Sequence, residues 1–178
     1  MPNYGHIPKP SNPDAARGGY KNVLLVIPRA DFLTFAKPPA APAALGDGYK
    51  INTAHTFAAN KGYYEWASKL KSVVGKGTTG GDEGAYQMKY SFEGVVIGDS
   101  ASTQEQMHRA LNDDLVWFVK DSNCLVTDSY IQYGDECDSP VIKAEFDSQN
   151  SDGTKNWKIS GEVSGKRFFY NAALVKAA

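Results

Sequence analysis

The chain has 178 residues, a formal net charge of −1, 42% hydrophobic and 22% charged residues. This composition supports a packed core and excludes global disorder, and the charge balance excludes a strongly basic nucleic-acid binder. Tyr and Phe (10 and 8) outnumber Met (3), which leans toward sheet, and no apolar run reaches the roughly 20 residues of a membrane-spanning helix.

Residues 1–19, rich in Pro, Gly, Asn and Asp, read as an extended N-terminal arm ahead of a β-rich domain over 20–178. The arm has no apolar core like that of a signal peptide, which predicts a soluble protein made in the cytoplasm. Val23 to Ile27 is a continuous β-branched and leucine run, the mark of a buried strand, and Pro28 ends it. A proline-rich linker over 36–48 follows. Residues 55–84 read as a long loop region. Within it "YYEWASKLKSVV" fits a helix or a strand equally, and "GKGTTGGDEG" (75–84) carries five glycines. "AYQMKYSFEG" then alternates strictly. Tyr86, Met88, Tyr90 and Phe92 point to one face and Gln87, Lys89, Ser91 and Glu93 to the other, as in a half-buried antiparallel strand. Ser102 and Glu105 form a capping-box pattern. Met107, Ala110, Leu111, Leu115 and Phe118 then make a stripe at helical spacing, so a helix is expected from about Thr103 to Lys120. "LVTDSYIQY" and "VIKAEF" read as a hairpin turning at "GDECDSP", followed by the alternating strand "NWKISGEVS" and a last strand "KRFFYNAALV". The fold class is mainly β (α+β): two antiparallel sheets in a sandwich or part-barrel, with one amphipathic helix packed on it.

Tests for chemistry come out negative. In the glycine-rich stretch Lys76 is followed by Gly77, not Ser or Thr, and a strand follows where a phosphate loop needs a helix N-terminus. His6, His55 and His108 have no second ligand at metal spacing and read as surface residues. "SQNSDG" lacks the closing acid of a calcium loop, because Ile159 stands there. Asp135, Glu136 and Asp138 read as a solvated acidic turn. Asp113 and Asp114, adjacent on a helix, would diverge by about 100° and could not share a substrate. If "LVTDSYIQY" is a strand, it spans about 30 Å, well beyond the ~7 Å of a disulfide, so Cys124 and Cys137 read as free thiols. No catalytic residues, cofactor or metal are expected, and the chain is not expected to be an enzyme.

The order of elements, carried by "AYQMKYSFEG", "STQEQMHRALNDDLVWFVKDSN", "SYIQY", "VIKAEF" and "NWKISGEVSG", resembles the tail tube (major tail) protein family of tailed bacteriophages. Contractile injection and type VI secretion tube subunits share that fold. Leu111, Leu115, Trp117 and Phe118 fit the family's helix. The resemblance implies a structural virion protein that assembles with itself into stacked, hexameric rings lining a channel. DNA would be passing cargo, other tail or virion proteins further partners, and the membrane not entered. The expected inter-subunit contact set is Tyr63, Tyr64, Trp66, Lys69, Lys71, Gly75, Lys76, Gly80 and Gly81, in a loop that meets the next ring. The alternative is a monomeric β-sandwich binding or virion decoration module for carbohydrate or protein, with Tyr63, Tyr64 and Trp66 as its platform.

Overall fold

The structure, a computed structural model, describes residues 20–122, 130–148, 155–165 and 167–178. Mainly β with one α-helix, it is the α+β class expected. The first strand, β1 (Tyr20–Pro28), buries Leu24, Leu25, Val26 and Ile27 without alternation. Covered on both faces, it needs apolar residues at every position. It sits inside a six-stranded sheet with β3 (Lys50–Ile51), β5 (Tyr64–Ala67), β8 (Leu115–Asp121), β9 (Tyr130–Tyr133) and β12 (Arg167–Tyr170), in the order β3-β12-β9-β8-β1-β5. All its pairings are antiparallel except the short one between β12 and β3.

A four-stranded antiparallel sheet lies against one face of it. This sheet contains β6 (Val74–Gly80), β7 (Gln87–Ile97), β10 (Val141–Asp147) and β11 (Asn156–Ser164), in the order β10-β11-β7-β6. Between the sheets, Leu24, Val26, Trp117, Val119, Ile131 and Tyr133 pack against Phe92, Val96, Ile159 and Val163. Gly161 is required here: a Cβ would stand 2.4 Å from the Phe92 ring. The opposite face of the six-stranded sheet presents Leu25, Ile27, Val116, Phe118, Phe168 and Tyr170 to a second core. Ile51 of β3 belongs to this face too, and Ala36 with the aromatics of β2 (Phe32–Thr34) and β4 (Thr56–Phe57), themselves paired, covers it.

Several expectations are corrected. The helix α1 spans Ala101–Ala110, not 103–120, and buries only Met107 and Ala110 in the inter-sheet core. It stops because Asn112 and Asp113 both donate their backbone N–H to Arg109 O, and the Asn112 amide caps His108 O. Leu115–Val119 is then a fully buried strand, whose residues contact both cores in turn. The cap is Ser100 and not Ser102: Ser100 Oγ accepts from Thr103 N–H at 3.1 Å. The 55–84 region is no loop, since β4, β5 and β6 lie in it. "YIQY" and "VIKAEF" are not a hairpin but belong to different sheets, and the 134–140 turn crosses between them. There Asp135 Oδ1 accepts from the N–H groups of Cys137 and Asp138. The last strand is only the four residues of β12. Residues 35–46 are irregular until the 3-10 turn Asp47–Tyr49. Cys137 is a free, exposed thiol; Cys124 and His6 lie outside the described residues.

Candidate interaction surface

Among the described residues, the four-stranded sheet has one covered face and one bare one. Along β7, Phe92, Gly94 and Val96 are buried while Ser91, Glu93 and Val95 are half-buried, so the alternation read from the sequence holds in its inner part. It fails at the other end: Tyr86 is 69% exposed and Met88 36%, because the hairpin of β6 and β7 runs out past the second sheet's cover. On the bare face stand Lys76, Lys89, Ser91 and Glu93 with Lys158, Ser160 and Glu162 of β11 and Lys143 and Glu145 of β10. Opposite charges interleave there, with Lys76 Nζ 3.0 Å from Glu93 Oε1 and Lys89 Nζ 3.9 Å from Glu162 Oε1.

The two sheets end differently. Each edge of the four-stranded sheet is a seven-residue strand, β6 or β10, and no described strand lies beyond it. The six-stranded sheet ends at the two residues of β3 on one side. On the other, the start of β5 is occupied by the C-terminal residues. Tyr63 N–H donates to Val175 O at 2.9 Å, Ala177 N–H donates to Tyr63 O at 3.1 Å, and Lys176 pairs with Glu65 at 2.7 Å. Gly62 permits this approach, since a Cβ would lie 2.2 Å from Val175 O.

The nine residues expected to form one contact do not come together. Tyr63 packs on the second core and is held by the C-terminal residues. Trp66 is buried, edge-on to Trp117 at 5.3 Å, which makes it a core residue on strand β5 and not part of a loop, though its edge lines the same cleft as Tyr64. Tyr64 is exposed beside it, on the wall of a cleft of about 400 Å³ shared with Asp31, Lys61, Gln106 and Arg109. Lys69 and Lys71 are exposed on the turn after β5, where Lys71 N–H donates to Asn22 Oδ1. Gly75, Lys76 and Gly80 are in β6, and Gly81, at φ +104°, opens its turn. Lys76, Gly80 and Gly81 thus share the hairpin with the exposed Tyr86.

Gly75 is the opposite of slack. A Cβ there would meet the hydroxyls of Tyr20 and Tyr133, each at 2.6 Å. Those hydroxyls are 3.2 Å apart, and Arg167 Nη1 donates to Tyr20 at 3.1 Å. Burial pushes the Tyr133 phenol far above its ordinary range. The glycine therefore seats the start of β6 against the six-stranded sheet. Sequence reasoning missed the β10 edge, Val141 to Asp147, because nothing in an alternating strand marks whether it lies at an edge or in the centre. His55 was also misplaced, being buried and not at the surface. No family model, curated protein or solved structure matches this chain.

Proposed function

We propose that the chain is a structural subunit that assembles with copies of itself into rings, as tail tube proteins do. In this reading the four-stranded sheets of neighbouring subunits join edge to edge into one closed barrel. The observation that supports it is the pair of seven-residue edge strands, β6 and β10, beyond which no described strand lies, on a sheet whose companion has a two-residue edge strand and one held at its start by the C-terminal residues. Exposed edges invite pairing with another chain, and closure into a barrel removes them. The covered face carries a second sheet, which adds a layer about 10 Å thick. That layer has room outside a ring and none inside it. The bare face, with its interleaved lysines and glutamates, therefore lines the channel, and DNA would pass along it as cargo. The hairpin end around Tyr86 reaches the next ring. The protein belongs, in this reading, to a virion tail, with other tail proteins as further partners.

Substitution of both Thr78 and Thr79 by Lys tests the edge. Both are exposed on β6 and face opposite sides, so the subunit keeps its melting temperature. Light scattering and negative-stain microscopy of concentrated wild-type protein are expected to show rings or tubes, and the double variant only monomers. Wild-type protein that stays monomeric at high concentration, with no rings in the images, would sink the reading.

A further inference from the structure

We propose that His55 is an acid-sensitive latch that holds the segment Phe32–Phe57 over the second core and releases it on protonation, independently of assembly. His55 is 3% exposed and both ring nitrogens are engaged. Ala36 N–H donates to Nδ1 at 3.0 Å. A backbone N–H can only donate, so Nδ1 carries a lone pair and the proton sits on Nε2, which donates to Gln132 Oε1 at 3.0 Å. Gln132, itself fully buried, is fixed in that orientation because its amide nitrogen donates to Gly134 O at 2.9 Å. The His55 backbone N–H donates to the Tyr170 hydroxyl at 3.0 Å.

Apart from Gln132 Oε1, the contacts of the ring offer a cation only ring faces and edges. The imidazole stacks on Tyr170 at 4.7 Å and lies 5.2 Å from Phe32, 4.8 Å from Phe35, 6.4 Å from Phe57 and 6.0 Å from Phe118. Element by element, β2, β4 and β8 present phenylalanine, the Phe35–Ala36 stretch presents a ring and an amide, β9 presents Gln132, and β12 presents the Tyr170 phenol. That phenol is the one titratable group among these contacts, with Tyr130 beyond it at 6.4 Å from Tyr170. The ion pairs nearest in sequence, Lys50 with Asp47 and Lys61 with Asp31, and the exposed pair Lys37 with Glu136 beside Ala36 are not among the ring's contacts. Burial accordingly holds the imidazole below its ordinary range, with the Gln132 bond opposing weakly. A second proton would go on Nδ1, turning the Ala36 contact into donor against donor.

Ala36 opens the irregular stretch that returns at Ile51, and both residues are buried in the second core. Losing the Ala36 bond therefore unseats this cover and leaves the two-sheet core beneath it in place. The sign follows from the depressed value. The open form takes up a proton near pH 6.5 and the closed form only lower, so closure is fully favoured above pH 6.5 and weakens as pH falls below it. At pH 5 the opening constant rises by up to about 30-fold.

Hydrogen exchange of the full chain from pH 7.5 to 5, corrected for intrinsic rates, reads this directly. Peptides within 32–57 are expected to lose protection progressively, by up to about 30-fold at pH 5, while those in β8 and β11 hold. His55→Asn keeps an acceptor for Ala36 and removes the titration, so its exchange is weaker in protection but flat with pH. Nitrogen-15 NMR of the wild-type ring provides a check that needs no variant: Nδ1 unprotonated, titrating below 6.5. The latch is overturned by flat exchange in the wild type, by an equal pH response in His55→Asn, by β8 and β11 opening together with the segment, or by a ring that titrates at 6.5 or above.

Discussion

The two sheets of this protein solve different problems with nearly the same residues. The six-stranded sheet is covered on both sides, so neighbours along β1 and β8 go alternately into two cores: Leu24 and Val26 into one, Leu25 and Ile27 into the other. The four-stranded sheet is covered once, and along β11 buried Ile159 and Val163 alternate with exposed Lys158 and Glu162. The difference teaches that the doubly covered sheet holds both cores, while the singly covered one leaves a face to solvent among the described residues. It also separates their edges. The six-stranded sheet ends in a two-residue strand and a strand whose start is held by the C-terminal residues, whereas the four-stranded sheet ends on each side in a seven-residue strand beyond which no described strand lies.

Neighbouring substitutions give the sharpest break of that comparison. Trp117→Ala and Phe118→Ala, adjacent but in different cores, should each destabilise by about 3–5 kcal/mol in denaturant melts. Leu115→Asp should prevent folding, since it places an unpaired charge in the inter-sheet core. In β7 the same test should be lopsided: Phe92→Ala loses about 3–5 kcal/mol, and Ser91→Ala stays within about 0.5 kcal/mol. A large effect at Ser91, or a small one at Phe118, would mean that the sheets have been assigned the wrong number of covered faces.

The same contrast explains what the sequence made legible. Strict alternation in 86–93 and 157–164 marked singly covered strands, and both are strands of the four-stranded sheet. Continuous runs carry no period. "LVWFV" following a helical stripe extended that stripe by chance, with Leu111, Leu115 and Phe118 at steps of four and three. The signal that could have split it was local: Asn112, Asp113 and Asp114 are turn formers, and the residues after them are β-branched and aromatic. The glycines of 75–80 hid a strand for another reason. Gly75 is there to admit two tyrosine hydroxyls, which only the tertiary structure brings near. His55 was unreadable because its partners Ala36, Gln132 and Tyr170 converge from elements up to 115 residues apart.

Glycine substitutions come next in size. Gly75→Ala should destabilise by about 1–3 kcal/mol, because the new methyl overlaps hydroxyls already bonded to each other. Gly84→Ala meets nothing within 4 Å, and its φ of +85° leaves only a backbone penalty of about 1 kcal/mol. Equal losses would show that Gly75 is not seated against Tyr20 and Tyr133. At the helix, Ser100→Ala should cost about 1 kcal/mol and Ser102→Ala a few tenths, which reverses the ranking expected from the capping box.

The smallest effect is expected on the bare face. Lys76 and Glu93 lie 3.0 Å apart but are 61% and 30% exposed, and Lys89 and Glu162 are farther apart and more open. Exposed pairs of this kind add little, since water screens them and two long side chains must be held still. Lys76→Ser should therefore shift the stability of the isolated subunit by no more than about 0.5 kcal/mol, and added salt should erase the shift. The comparison of sheets requires this indifference. A solvated face of this kind contributes little to the fold of one subunit. A loss above 1 kcal/mol in dilute protein, insensitive to salt, would place Lys76 in a dry contact, and the four-stranded sheet would then be covered on both faces like its partner.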